Sequence, residues 1–236
     1  MNGAAPIMCR VIDLETTGLP ENEAAEIIEF GRYDVREAAL GDPWVTLIRP
    51  RGPIPPETKA VHHITEDDVK NAPEARDVWG SFFEGMADGD ILVAHNAKFE
   101  MHFLGETGSR WRWIDTFKVA RVVWPDAPGH GNQTLRYWLE LPCDRDEAWP
   151  PHRALPDAYV TAHLLIRLMS EKTIEEMVKI SLYPALAHKI TFGKKHKGWL
   201  YADTPTDYLQ WIRDQSDMDE DTKFSAGYWL KKRGAR

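Results

Sequence analysis

The sequence predicts an α/β fold with a mixed sheet flanked by helices, on the strength of three observations. Short β-rich runs come first, at residues 8–14, 26–35 and 44–48. A strand at 91–94 is then interleaved with helical stretches, and the clearest amphipathic helix, 157–169, arrives late. Strands first and alternation afterwards give a sheet of mixed direction covered by helices. At 236 residues the chain suits one core of about 150–200 residues with a small appendage.

Each element has a local reason. Val11 and Ile12 make the first strand β-prone, and Glu15-Thr16-Thr17-Gly18 ends it in a turn. Residues 49–56 are rich in Pro and Gly and read as a loop, whereas Thr65, three residues before Asp68, signals a helix start. The stretch 78–86 is apolar at helical spacing. The run 91–94 is a buried strand, with a helix beginning over 95–104. Helices are expected at 116–123 and 134–139, separated by Pro-rich loops at 124–133 and 141–151. Val160, Leu164, Leu165 and Leu168 stripe the 157–169 helix, with Pro156 just before it. Thr173 and Glu176 form a capping box. Beyond a connector over 171–187, residues 188–236 hold a basic turn and two amphipathic stretches; so few residues bury little core alone and should dock on the body.

Composition narrows the function. No uncharged apolar run approaches the roughly 18–20 residues of a membrane span, and Asp13 and Glu15 stand where an export signal needs apolar residues. Two cysteines, Cys9 and Cys143, are too few for a disulfide framework or a Cys-ligated zinc, so a reduced, cytoplasmic protein is expected. The net charge of −8 is unevenly spread: residues 1–170 carry −10 and residues 171–236 carry +2. That balance suits an enzyme whose carboxylates hold metal and whose tail helps to hold a polyanion. Ten tryptophans, several beside Lys or Arg as in Arg110-Trp111-Arg112-Trp113, suit stacking on bases, although core packing is their commoner use.

Three places carry chemistry. Asp13 and Glu15, two apart on a strand, project to one face at its end, where hard Mg²⁺ or Mn²⁺ would relieve their repulsion. An Asp-x-Glu pair also arises about once by chance in a chain of this composition. The following turn adds weight, because Gly18 permits close backbone approach and the Thr16 and Thr17 amides suit an anion. His95-Asn96-Ala97-Lys98-Phe99-Glu100 follows the 91–94 strand, at the end where α/β sheets seat ligands; Asn96 suits phosphate or sugar and Glu100 adds a third carboxylate. Local capping of the next helix is the alternative for His95 and Asn96. In His152-Arg153-Ala154-Leu155-Pro156-Asp157, Asp157 lies near a helix N-terminus, where a carboxylate is also a common cap. His152 sits upstream on a Pro-rich loop, and imidazole is the natural general base near neutral pH.

Together these motifs resemble the DEDDh 3′–5′ exonucleases, the DnaQ-like members of the ribonuclease-H-like superfold. The likeness rests on Asp-x-Glu-Thr-Thr-Gly, His-Asn-Ala-x-Phe-acid and His-x4-Asp in order, with Val61-His62-His63-Ile64-Thr65 and Ile114-Asp115-Thr116 in support. It extends into the tail at Thr191-Phe192-Gly193-Lys194 and Tyr208-Leu209-Gln210-Trp211, which is similar to that of stand-alone bacterial members. The resemblance implies an exonuclease domain over 1–170 that uses two Mg²⁺ or Mn²⁺ ions to release nucleoside 5′-monophosphates from DNA 3′ ends, single-stranded or frayed, in repair or end processing. Asp13 would bridge both ions, Glu15 and Asp157 would complete the first, and Glu100 would serve the second. His152 would take the proton of the attacking water. Thr16, Thr17, Gly18, Leu19, His62 and Asn96 would seat the terminal nucleotide, with Lys194, Lys195 and Lys197 as a phosphate track. RNA trimming, polymerase proofreading and a catalytically weak 3′-end-binding module are the alternatives. The family places Asp where this chain has Glu100, so weaker binding of the second ion and a shift from Mg²⁺ toward Mn²⁺ are expected.

Overall fold

The computed structural model describes residues 6–235. Its sheet has five strands: β1 (Met8–Thr16), β2 (Ile27–Arg36), β3 (Ala39–Leu47), β4 (Ile91–Ala94) and β5 (Arg112–Asp115), in the order β3-β2-β1-β4-β5. β1–β2 and β2–β3 are antiparallel, whereas β1–β4 and β4–β5 are parallel. The sheet is therefore mixed, as the order of strands and helices in the sequence predicts.

The helices in chain order are α1 (Pro56–His62), α2 (Glu66–Val69), α3 (Ala75–Phe83), α4 (Lys98–Ser109), α5 (Thr116–Val123), α6 (Asn132–Trp138), α7 (Ala154–Met169), α8 (Ile174–Ser181), α9 (Thr206–Asp214) and α10 (Glu220–Lys232).

The period-two alternation of β1 sorts its side chains onto two cores. Cys9 and Val11 join β2 residues Tyr33 and Val35 and the α7 stripe of Val160, Leu164 and Leu165. Ile12 and Leu14 face the other way, against Phe30, Leu92 and Phe82. By the same alternation Asp13 and Glu15 continue the Cys9–Val11 face, so both point toward α7. On β2 that face carries Gly31 and Glu29 next to the first turn of α7. A Cβ on Gly31 would lie 2.5 Å from the Ala154 carbonyl oxygen and 2.5 Å from the Leu155 nitrogen, so only glycine lets the helix start there.

Three local expectations give way to the structure. Residues 112–115 form the edge strand β5, too short and too charged at its start to announce itself; Trp113 is buried and its indole donates to the Gly108 carbonyl. Trp111 stacks on Phe83 at 5.9 Å, so this Trp–Arg run is largely packing. α1 occupies residues placed in or just after the predicted loop. α7 begins at Ala154, which puts Pro156 inside its first turn, where a missing N–H costs no helical bond.

The C-terminal residues gather a small core of their own from Ile190, Tyr201, Leu209, Ile212, Ala226 and Leu230. It is tied to the body by a buried Arg121–Asp221 ion pair at 2.8 Å and by Asp221 accepting from the Ala185 backbone N–H at 2.9 Å. Among the described residues no helix is long and apolar enough to cross a membrane.

Candidate active site

The fold brings Asp13, Glu15 and Asp157 together: one oxygen from each lies within 4.8 Å of the others. β1 supplies two of the three at its C-terminal end, and the first turn of α7 supplies the third across the same face. Among the described residues none of the three forms an ion pair. The cost of that crowding appears in their protonation. Asp13 is held well above the usual carboxylate range by burial, then by the charges of Asp157, Glu15, Glu100 and Glu29. Glu15 is pushed up to about 8 by burial, then by Asp157 and Glu29, with Arg153 opposing. Asp157 is also raised by burial, though hydrogen bonds from the His152 backbone and Gln133 work against the shift.

Burial combined with unrelieved mutual repulsion is the signature of a cation site, and three hard carboxylate oxygens suit Mg²⁺ or Mn²⁺. The residues present therefore fit the divalent ion that the sequence implies.

Glu100 lies outside this trio. It is 4% exposed on the first turn of α4, and its Oε2 is buried with no hydrogen-bond partner among the described residues. Burial raises it well above the usual range; the nearby charges of Asp115 and Glu15 add to the shift, while a backbone hydrogen bond opposes it.

His152 is exposed at the rim in a left-handed backbone conformation (φ 61°). Its backbone N–H donates to Asp157 Oδ2 at 2.8 Å, which fixes the loop beside the carboxylates and leaves the ring at the surface.

The turn after β1 is built from its own polar groups. Thr16 Oγ1 donates to the Gly18 carbonyl at 2.7 Å, the Thr17 backbone N–H donates to the Glu26 carbonyl at 2.8 Å, and Thr17 Oγ1 accepts from the Glu26 N–H. The Thr17 amide expected for an anion is thus already committed. Leu19 stands out at 67% exposed, an apolar side chain beside the carboxylates. Asn96 is exposed (φ 74°), and its backbone N–H donates to Asp115. His62 is buried at 2% exposure with Nδ1 accepting from the Ile64 N–H, in the field of Glu29 and Arg153, and burial lowers its pKa. His95 is a packing residue: Nε2 donates to the His130 carbonyl, Nδ1 accepts from Thr116, and burial drives its pKa down to about 4. Lys194, Lys195 and Lys197 lie exposed on the basic turn, remote in sequence from the trio.

Two sets of residues that the sequence motifs do not reveal hold this constellation. Gln133 donates to Asp157 Oδ1 at 3.2 Å, and Asn132 donates to the Asp157 carbonyl and to Thr161. Glu29 receives the Arg153 guanidinium through two nitrogens and also the Ala154 N–H, which anchors the start of α7 to β2.

Residues 11–165 match the family described as exonuclease. The chain belongs to the exonuclease family. A curated relative, exodeoxyribonuclease 10 of Escherichia coli K12, is 34% identical over 230 residues, covering 95% of this chain and 99% of its own. A DNA polymerase III subunit epsilon-like protein of Rhodobacter capsulatus is 35% identical over 167 residues, which span 67% of this chain and 23% of that one. Among solved structures, exonuclease X in complex with 5′ overhanging duplex DNA superposes with a TM-score of 0.63 at 37% identity, over 73% of this chain and 99% of that chain. This exonuclease is of the DEDDh type.

Proposed function

We propose that this exonuclease hydrolyses DNA from the 3′ end, releasing nucleoside 5′-monophosphates one at a time with two divalent ions, in repair or end processing. The observation that carries the proposal is the convergence of Asp13, Glu15 and Asp157 within 4.8 Å with no ion pair among the described residues. The 34% identity to an exodeoxyribonuclease along almost its whole length supports DNA as the substrate.

Asp13, Glu15 and Asp157 would hold magnesium or manganese, which when bound supplies Lewis acidity toward water and the phosphate oxygens. The buried, unpartnered Glu100 Oε2 supports a second ion beside this trio. Asp157 orients the reaction through its own contacts: Gln133 fixes one oxygen, and the other holds the His152 backbone. His152, exposed at the rim, takes the proton from the attacking water and passes it to solvent. Thr16, Thr17 and Gly18 shape the turn on which Leu19 packs against the terminal base, and exposed Asn96 meets its sugar or phosphate. His62, buried at 2% exposure, would act on the nucleotide's seat from within the protein.

The test uses single-stranded DNA labelled at the 3′ or the 5′ end, in Mg²⁺, Mn²⁺ or EDTA, beside His152→Ala. The expected result is a labelled mononucleotide released from the 3′ label only, with none in EDTA and a rate lower by about 10²–10⁴-fold in the variant. Binding without release in either metal would overturn the reading.

A further inference from the structure

Between the sheet body and the C-terminal core lies a cleft of about 780 Å³, within the roughly 300–1,000 Å³ of ligand-binding sites. We propose that it is a second nucleic-acid site, which holds the strand under attack a few nucleotides inward from its 3′ end. The inference rests on the exonuclease reading above and assigns a binding role to the C-terminal residues, which the family match over 11–165 does not reach.

Position is the first argument. Asn96 and Lys98, on the short segment that leads into Glu100, belong to the lining, so the cleft comes within a few residues of the carboxylates where the strand would end. Its far wall comes from residues 187–191 and from Lys197 and Gly198 of the basic turn. Beyond that wall Tyr208 stacks on Trp211 at 5.2 Å, and Trp211 is 45% exposed rather than packed away as its sequence setting suggests.

Charge is the second. Lys98, Lys118, Lys189 and Lys197 all line the cleft, and their only ion pair among the described residues is a long Lys189–Asp126 contact at 3.7 Å with both partners exposed. The acids that share the lining are largely spent on the protein itself. Asp115 Oδ1 accepts backbone N–H bonds from Asn96, Phe117 and Lys118; Asp221 is neutralised by Arg121; and Asp219 caps α10 through the Thr222 N–H. Asp219 and Glu220 remain as exposed acids in the lining, against four lysines. Cations without a close ion pair among the described residues, beside the partly exposed ring of Phe117, are the combination that tracks a phosphate backbone while offering bases a stacking face. The buried Arg121–Asp221 pair fixes the two walls relative to each other, so the cleft is preformed.

The test reads binding in EDTA, where no cleavage occurs. The affinities of a trinucleotide and a dodecanucleotide of DNA are measured against salt for the full-length protein and for Lys189→Ala/Lys197→Ala. Separately, a duplex whose attacked strand is that dodecanucleotide, carrying 5-iodouracil at successive positions of the attacked or the complementary strand, is photo-crosslinked and the adducts are mapped. Two lost phosphate contacts should lower the salt slope by about 1.4 and shrink the advantage of the dodecanucleotide over the trinucleotide. Adducts from the attacked strand should fall on Phe117 or on the 187–198 segment. An unchanged slope and length advantage in the variant would overturn the cleft proposal alone, and so would adducts in that segment from the complementary strand only. Failure of the unaltered protein to bind either oligonucleotide would overturn the DNA reading and the cleft with it.

Discussion

The two halves of β1 treat buried charge in opposite ways. Near its start Arg10, 1% exposed, places its guanidinium on Asp34 at 2.7 and 2.8 Å and donates to the Phe82 and Glu84 carbonyls. Three residues later Asp13 and Glu15 form no ion pair among the described residues, and the charges around them are mostly further acids, with Arg153 opposing only at Glu15. One strand thus carries a charge that the fold neutralises with its own groups and a pair that it leaves to be neutralised from outside. The first kind holds β1 to β2 and to the end of α3; the second stores a deficit that a divalent ion removes. The difference separates scaffold from site more clearly than burial does, since both regions are largely enclosed.

Asp13→Asn should break this contrast most severely. Hydrolysis is expected to fall by about 10²–10³-fold, while the metal-free protein becomes more stable because a repelled charge is gone. The pH profile sharpens the point. Glu15 is raised in the fold from 4.5 to about 8, so the folded state takes up protons in that interval, and the metal-free protein should lose stability as pH rises through it. Melting in EDTA across this range should show a falling midpoint, shallower in Asp13→Asn and flattened by excess Mg²⁺; a midpoint rising with pH would mean the carboxylates are compensated after all.

Arg10→Leu probes the other half and should act on stability instead. It leaves Asp34 with only the Arg32 guanidinium, at 3.2 Å, and takes the arginine donor from two carbonyls, at a cost of about 3 kcal/mol, the lower end for a broken buried pair because Asp34 is 23% exposed and keeps that second partner. Urea unfolding measures the loss, and the rate per folded molecule should hold. A smaller effect is expected of Glu100→Asp, which withdraws the carboxylate by one methylene. It should shift the ratio of Mg²⁺- to Mn²⁺-supported rates by less than the ~10²-fold that a 1 Å misplacement costs. An unchanged ratio would mean that Glu100 takes no part in metal choice.

Much of this was legible in the sequence because it is local. The alternation Val11, Asp13, Glu15 fixes a common face without any knowledge of the partner strand, and the apolar stripe of α7 declares which side of that helix is buried. The supports of the site were not legible, because their partners are distant in the chain: Glu29 and Arg153 are separated by 124 positions, and Gln133 reaches Asp157 across 24. Gln133 lies at the start of a helix after a Pro- and Gly-rich loop, and nothing in that setting marks it as a carboxylate's partner. β5 is illegible for a different reason: four residues opening on a charged one give no period to detect, and pairing with β4 alone makes them a strand.

Gly31 is absent from every motif, yet it acts as a spacer gauge for the catalytic centre. Its bare Cα lets the Ala154–Leu155 backbone rest directly on β2, and Asp157 follows three residues later on the same rigid turn. A single methyl at position 31 would lift that turn off the sheet and carry Asp157 away from Asp13 and Glu15 without touching any of the three. Tolerance for change at this centre is thus set partly by a residue with no side chain to observe.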